Sequence, residues 1–368
     1  MTTYFEHLVG NDHIKRYLTR MVEKNAIAHS LLFAGPDGIG KSLFAEAFAK
    51  QIICQNDTDG SHRHKIESGA HPDIRIYHPE GKIGMHSIDS MRQFSEEVYQ
   101  APFEAPWKVF IIHDADRMLT YSANALLKTF EEPAPQSLII LLSSLPESLL
   151  PTILSRCRFL RFHPIPEEAI TSFLQEKQSK TSEEASAIAA LANGSLGSAM
   201  RLLEQGGDIL REKILKILVK GKMSTYTELM QAASDIGDHI EEGKQQIEGA
   251  LRASMVKAYP DGLTSAQQHA IDKEIEGAMS MKASREAHAI FDLILAWYRD
   301  MHLLQVKGNT TYLIHRDYHQ QMIQALQRGH ILPLESVQKT IGQVQLALER
   351  STPLTSCLEN LFLQLGFI

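Results

Sequence analysis

Two hydrophobic rhythms divide this chain. Between residues 30 and 162, short apolar runs recur: Leu31-Leu32-Phe33-Ala34, the alternating Ile74-Arg75-Ile76-Tyr77, Val109-Phe110-Ile111-Ile112, Leu138-Ile139-Ile140-Leu141-Leu142 and Phe159-Leu160-Arg161-Phe162. Their length and β-branched or aromatic content predict strands. Helical spacing fills the gaps: Ile14, Leu18, Met21 and Val22, with Asn11 or Asp12 as candidate cap; residues 43–50; Ile88, Met91, Phe94 and Val98; and residues 123–132, stopped by Pro133. Strands alternating with helices predict a parallel sheet covered by helices on both faces. From Pro166 onward strand-like runs vanish. Residues 166–177 and 182–203 read as helices around Asn193-Gly194-Ser195, and residues 208–368 as helix after helix. Leu293, Ile294, Trp297 and Met301 form one apolar stripe, and Leu358, Leu361, Phe362 and Leu365 another; both predict bundle core. The polar stretch 55–64 reads as a surface loop, and residues 259–275 as an exposed connection or mobile helix.

One turn carries chemistry. Gly35-Pro36-Asp37-Gly38-Ile39-Gly40-Lys41-Ser42 fits G-x-x-x-x-G-K-[ST], between an apolar strand and a helix, which is the context the motif requires. Glycines let backbone N–H groups converge on a phosphate chain, and the helix N-terminus adds partial positive charge. Gly35, Pro36, Gly38 and Gly40 are therefore candidate nucleotide-binding positions. Lys41 is placed to reach β- and γ-phosphates and Ser42 to hold Mg²⁺. His113-Asp114-Ala115-Asp116 follows the third strand, where an acidic residue should hold the metal ion. Ligands of open α/β sheets bind at the carboxyl ends of strands, so the glycine turn, His113 and Ser143-Ser144 can share one site.

Composition narrows the partners. The net charge of −7 argues against a dominant nucleic-acid surface, so DNA contact needs a local patch or a partner. Three dispersed cysteines make no disulfide framework and point to a reducing cytoplasm. No leader-like N-terminus and no membrane-length apolar run is present. At 368 residues, two or three domains are expected.

Further motifs carry a family resemblance: His29-Ser30-Leu31-Leu32-Phe33 before the glycine turn, His71-Pro72-Asp73, Ala123-Asn124-Ala125-Leu126-Leu127-Lys128-Thr129-Phe130-Glu131-Glu132-Pro133, and Leu149-Leu150-Pro151-Thr152-Ile153-Leu154-Ser155-Arg156-Cys157. Together they resemble the clamp-loader subunits of bacterial DNA polymerase III, AAA+ proteins, and among these the delta-prime type. Trp297-Tyr298-Arg299-Asp300 and Leu358-Glu359-Asn360-Leu361 look like that family's C-terminal collar. The resemblance implies an α/β AAA+ domain over 1–164, a small helical lid over 165–207 and an all-α collar over 208–368. It implies ATP with Mg²⁺ as ligand, and tau/gamma and delta subunits, the sliding clamp and primed DNA as partners. It also implies that Arg156 acts in trans on a neighbour's ATP, a surface salt bridge being the other reading of that residue.

The departures matter as much. Gly197 stands where the ATP-hydrolysing tau/gamma subunits carry a γ-phosphate-sensing arginine. His113 and Asp114 stand where those subunits carry an aspartate and a catalytic glutamate. Imidazole is a poor Mg²⁺ ligand, and Asp114 is a methylene short for orienting water, though it can substitute as a metal ligand. Nucleotide binding with little hydrolysis is expected; a tau/gamma-type ATPase and a stand-alone nucleotide-binding regulator are the alternatives. The family's four-cysteine zinc module is reduced to Cys54, the other ligand positions falling on Asp57, Gly60 and Arg63. An improvised site of Cys54 with His62, His64 and His71 is conceivable, but a solvated loop without metal is the expectation.

Overall fold

The computed structural model describes residues 4–57, 60–204, 209–258, 264–328, 331–350 and 352–368. The chain forms two compact units, Met1–Arg201 and Leu202–Ile368.

In the first unit, β1 (Ser30–Ala34), β2 (Ile74–Tyr77), β3 (Lys108–Ile112), β4 (Ser137–Ser143) and β5 (Arg158–Arg161) form one parallel sheet in the order β2-β3-β4-β1-β5. Strands β1, β3 and β4 are buried throughout, which is why they read as unbroken apolar runs. Alternate residues serve opposite faces. Leu31, Phe33, Val109, Ile111, Leu138 and Ile140 pack with Ile14 and Leu18 of α1 (Asp12–Glu23) and Phe44 and Phe48 of α2 (Lys41–Ile53). Leu32, Phe110, Ile112, Ile139 and Leu141 pack with Met91, Phe94 and Val98 of α4 (Ile88–Val98). The carboxyl ends of β1 and β4 are level, Ala34 facing Ser143, so the segments that follow them meet above one end of the sheet.

Four local expectations change. The stretch 123–132 is two helices, α5 (Thr120–Ala125) and α6 (Leu127–Glu131). At the break, Leu126 takes φ −92° and its N–H bonds to Ala123 O, three residues back. Leu126 and Phe130, four residues apart, still pack into one core across the break, as they would on a continuous helix. The expected loop 55–64 contains the start of α3 (Ser61–Glu67), entered through Gly60 at φ +77°. This helix buries no residue, so it leaves no apolar period to read; residues 58–59 lie outside the described part. Asn11 sits at φ 50° before α1 and makes no cap bond. Its amide instead donates to His163 O and accepts from His163 N. Of the two readings of 259–275, connection or helix, the helix holds from Ser265, where Thr264 and Gln267 form a capping box, and the connection does not; residues 259–263 lie outside the described part.

The sheet is followed by α7 (Pro151–Leu154) before β5, and by α8 (Glu167–Gln178), α9 (Ser182–Ala192) and α10 (Leu196–Glu204) after it. The expected lid–collar border at 207–208 lies outside the described residues. The second unit is helical: α11 (Ile209–Lys220), α12 (Tyr226–Ala258), α13 (Ser265–Gln305), α14 (His319–Arg328), α15 (Leu334–Glu349) and α16 (Leu354–Gln364). Ile294, Trp297, Met301, Leu358, Leu361, Phe362 and Leu365 share its core, as the stripes predict.

Candidate functional site

The glycine turn leaves β1 at Gly35, whose N–H bonds to Ser143 O at 3.1 Å, and enters α2 through Gly40. Gly38 adopts φ +73°, and a Cβ there would lie 2.3 Å from Ser195 Oγ, so the residue must be glycine on two counts. Lys41 is buried at 8% exposure. Its ammonium donates to Gly35 O at 2.5 Å and Pro36 O at 2.9 Å and lies 3.5 Å from Asp37 Oδ1. Burial pulls its pKa down, while Asp37, Asp114 and Asp116 act the other way. The turn and the acidic segment after β3 therefore share one electrostatic environment. Ser42 is half-buried in the first turn of α2.

The acidic segment is built differently from the sequence expectation. His113 stacks on His78 with ring centroids 4.3 Å apart, and its carbonyl accepts from the buried His86 Nε2 at 2.7 Å. Asp114 sits in the left-handed region at φ 47°. Asp116 accepts from Ser143 Oγ at 2.6 Å and Ser144 N at 3.1 Å, fastening the ends of β3 and β4 together. Sequence reading missed His86 and this role of Asp116.

The far side of the turn is covered by the helices after β5. Gly197 N–H donates to Gly38 O at 2.8 Å, and Ser195 Oγ caps α10 by accepting from Ser198 N at 3.2 Å. A Cβ on Gly197 would lie 3.0 Å from Gly38 Cα, so the two backbones pack closely at this point. Beside this contact an apolar cavity of about 210 Å³ is lined by Leu8, Val9, Gly40, Leu43, Phe173 and Leu196 among others.

Arg156 stands apart. It follows α7 and precedes β5, so it lies at the amino end of the parallel sheet, while the glycine turn lies at the carboxyl end. Its Nη1 donates to Thr152 O at 2.9 Å and Ser155 Oγ at 3.3 Å, and its Nη2 to Glu131 Oε1 at 2.6 Å.

The improvised cysteine–histidine set does not assemble as drawn. His62, His71 and Glu104 converge, with His62 Nδ1 2.9 Å from His71 Nε2, which is 3.6 Å from Glu104 Oε1. Cys54 interacts instead with Tyr4. Asp73 N–H donates to His71 Nδ1 at 3.1 Å, which leaves the neutral ring's proton on Nε2. That nitrogen is within hydrogen-bond distance of His62 Nδ1, and the ligand atoms of His62, His71 and Glu104 lie within 4.8 Å of one another, close enough to share a metal ion.

A glycine turn closing on a buried lysine, at the end of a central strand of a parallel sheet, makes the first unit a P-loop α/β unit. Residues 10–166 match the family described as DNA polymerase III, delta subunit. The chain is similar to the DNA polymerase III subunit delta' of Bacillus subtilis, 35% identical over 45% of this chain and 51% of that one. It is also similar to subunit delta' of Pseudomonas aeruginosa, 34% identical over 49% and 57%. Subunit tau of Bacillus subtilis is 31% identical over 60% and 41%. The chain thus spans about half the length of the curated relatives it matches. A DNA polymerase III gamma-subunit-related protein of Thermotoga maritima superposes with a TM-score of 0.42 at 18% identity, covering 95% of this chain and 97% of that one. The resemblance to delta-prime subunits read from the motifs is borne out.

Proposed function

We propose that this chain is a delta-prime-type subunit of a DNA polymerase III clamp loader, with an AAA+ domain over 1–164, a lid over 165–207 and a collar over 208–368. In this reading it takes a place in a cytoplasmic ring with tau/gamma and delta subunits and helps load the sliding clamp onto primed DNA. Its own glycine turn holds ATP with little turnover. Gly35, Pro36, Gly38, Gly40 and Lys41 would cradle the phosphates, the apolar cavity would take the base, and Ser42 with Asp114 would hold Mg²⁺. The fit supports binding more than hydrolysis. His113 is turned onto His78, Asp116 is committed to Ser143 and Ser144, and Gly197 offers no side chain. A tau/gamma-type ATPase would need the groups missing at His113 and Gly197.

The observation that carries the reading is the position of Arg156 at the end of the sheet opposite its own phosphate loop, which supports service to another subunit's nucleotide rather than to its own. Guanidinium offers a planar fork of donors suited to a developing phosphoryl charge. A finger supplied in trans is worth about 10³–10⁵ in rate at the site it serves. The test rebuilds the complex with Arg156→Ala and follows DNA-stimulated ATPase and clamp loading. ATPase should fall in part, because one site is affected, and loading should fall further; Arg156→Lys should rescue poorly. Unchanged rates in a normally assembled complex would remove the trans role. The isolated chain should show almost no turnover, and a rate near about 1 s⁻¹, lost in Lys41→Ala, would favour the tau/gamma reading.

A further inference from the structure

The contacts of Arg156 name a second residue. A guanidinium has five N–H donors. Three are engaged, by Thr152 O, Ser155 Oγ and Glu131 Oε1. The side chain stays 33% exposed, so it is held without being covered. Both ends of the Glu131–Arg156 pair stand on fixed ground. Glu131 ends α6, next to the buried Phe130. Arg156 follows α7, whose Ile153 is fully buried in the same core as Phe130. Pro133 stops α6 directly after Glu131-Glu132, which keeps the carboxylate at the helix end rather than along a longer helix. Thr152 and Ser155 are neighbours of Arg156 in sequence. Glu131 is the contact that ties the arginine to another element, 25 residues away.

We propose that Glu131 is the positioning residue of the arginine finger. It fixes the guanidinium so that the two remaining N–H groups face outward, toward the phosphoryl group of the neighbouring subunit's nucleotide. An unrestrained arginine must order several side-chain torsions each time it engages, whereas one held at three donors engages in place. This inference rests on the trans role of Arg156 proposed above.

The test uses the reconstituted complex and four variants: Glu131→Ala, Glu131→Gln, Arg156→Ala and the double variant Glu131→Ala/Arg156→Ala. The readout is the part of DNA-stimulated turnover that Arg156→Ala removes, separated into kcat and KM. Glu131→Ala should lower kcat in that part by about tenfold, inside the roughly 10²-fold cost of a 1 Å misplacement, and leave KM unchanged. Glu131→Gln keeps an acceptor of the same shape and should recover most of the rate. The double variant should be no slower than Arg156→Ala, because Glu131 acts only through the arginine. Should the alanine variant assemble poorly, Glu131→Asp retains the charge but is a methylene shorter, and a drop of about threefold in kcat is expected. Wild-type kcat in the alanine or aspartate variant, beside a slow Arg156→Ala, overturns the role of Glu131 and leaves the finger standing. A double variant slower than Arg156→Ala also overturns it. A fast Arg156→Ala removes the finger, and the positioning role with it.

Discussion

Asp73 in the sheet unit and Asp300 in the helical unit are both at 0% exposure, and both hold a loop distant in sequence. Asp73 accepts from the N–H groups of Phe103 at 2.6 Å, Glu104 at 2.9 Å and Ala105 at 2.8 Å, using both oxygens. Asp300 accepts from Ile314 at 2.9 Å and His315 at 2.8 Å through Oδ2, while its buried Oδ1 has no hydrogen-bond partner among the described residues. The charge states diverge accordingly. Burial pushes the Asp73 carboxyl up, but three amide donors and the neighbouring His71 bring it below the ordinary value. Burial pushes the Asp300 carboxyl up too, and two amides with Arg299 do not offset it. Two fully covered carboxyls thus shift in opposite directions: Asp73 has three backbone donors and His71 beside it, whereas Asp300 lies deeper and has two backbone donors. The charge of Asp73 stabilises the sheet unit, whereas that of Asp300 costs the helical unit part of what its two bonds return.

Acid should separate the units most strongly. His86 in the sheet unit and His315 in the helical unit are each pushed down to about 4, by burial first. His78 adds to this at His86 while Asp116 opposes it; Arg211 adds at His315 while Asp317 opposes it. Unfolded histidine titrates near 6.5. Between about 6.5 and 4 the unfolded chain binds more protons, so stability is complete above that window and falls as pH falls through it. Each histidine removes at most about 3 kcal/mol by pH 4. Below the ordinary aspartate range the sheet unit also loses the contribution of Asp73. The helical unit regains something as Asp300 protonates, because a raised folded pKa favours the native state as pH falls. The sheet unit should therefore unfold first in urea titrations run from pH 7 to 3, followed unit by unit by hydrogen exchange. His86→Gln should remove its share of the pH slope. A helical unit that melts first would break the comparison.

The aspartates themselves give the next largest effect. Asp73→Asn replaces a doubly accepting carboxylate by one acceptor oxygen and an N–H₂ that faces donors; a loss of about 2–3 kcal/mol is expected at neutral pH. Asp300→Asn keeps an acceptor for the two amides and removes a buried charge, so about 1 kcal/mol or less is expected. Equal losses in chemical denaturation would show that donor count does not decide the outcome.

The two units also differed in how far they could be read from sequence. The glycine turn was legible because every part of it is local: strand, glycines, lysine and helix follow one another within residues 31–50. The strands were legible because full burial removes their polar alternation. His86, Asp116 and Glu131 were not, because each acts on a partner 25 to 27 residues away and no period links them. Trp297-Tyr298-Arg299-Asp300 was noticed as a motif, but its work was hidden. Arg299 donates to Tyr312 O at 2.7 Å and Asp300 holds Ile314 and His315, so the motif straps a loop that carries no pattern of its own. The break at Leu126 and α3, which buries no residue fully, were illegible for the opposite reason: local propensity allowed a longer helix in one case and gave no signal in the other.

The smallest expected effect bears on whether the low turnover proposed for this chain can be raised by one residue. Gly197 sits in the first turn of α10 with its N–H on Gly38 O, and a Cβ there would lie 3.0 Å from Gly38 Cα and 3.3 Å from Gly38 O. The obstacle is backbone, which cannot swing aside as a side chain can. In Gly197→Ala the strain of separating the two backbones is partly offset by the better helix propensity of alanine. A net loss of about 1 kcal/mol follows, seen as a fall of about 2–4 °C in the Tm of the sheet unit. Gly197→Arg carries the same Cβ and a longer side chain with no room along the turn. It should lower Tm at least as much and leave the turnover of the isolated chain unchanged, because His113 would still stand at the proposed metal-binding position. If Gly197→Arg instead raised turnover at unaltered Tm, the close packing of Gly38 on Gly197 would be incidental, and the lack of a side chain at position 197 alone would account for the low turnover proposed here.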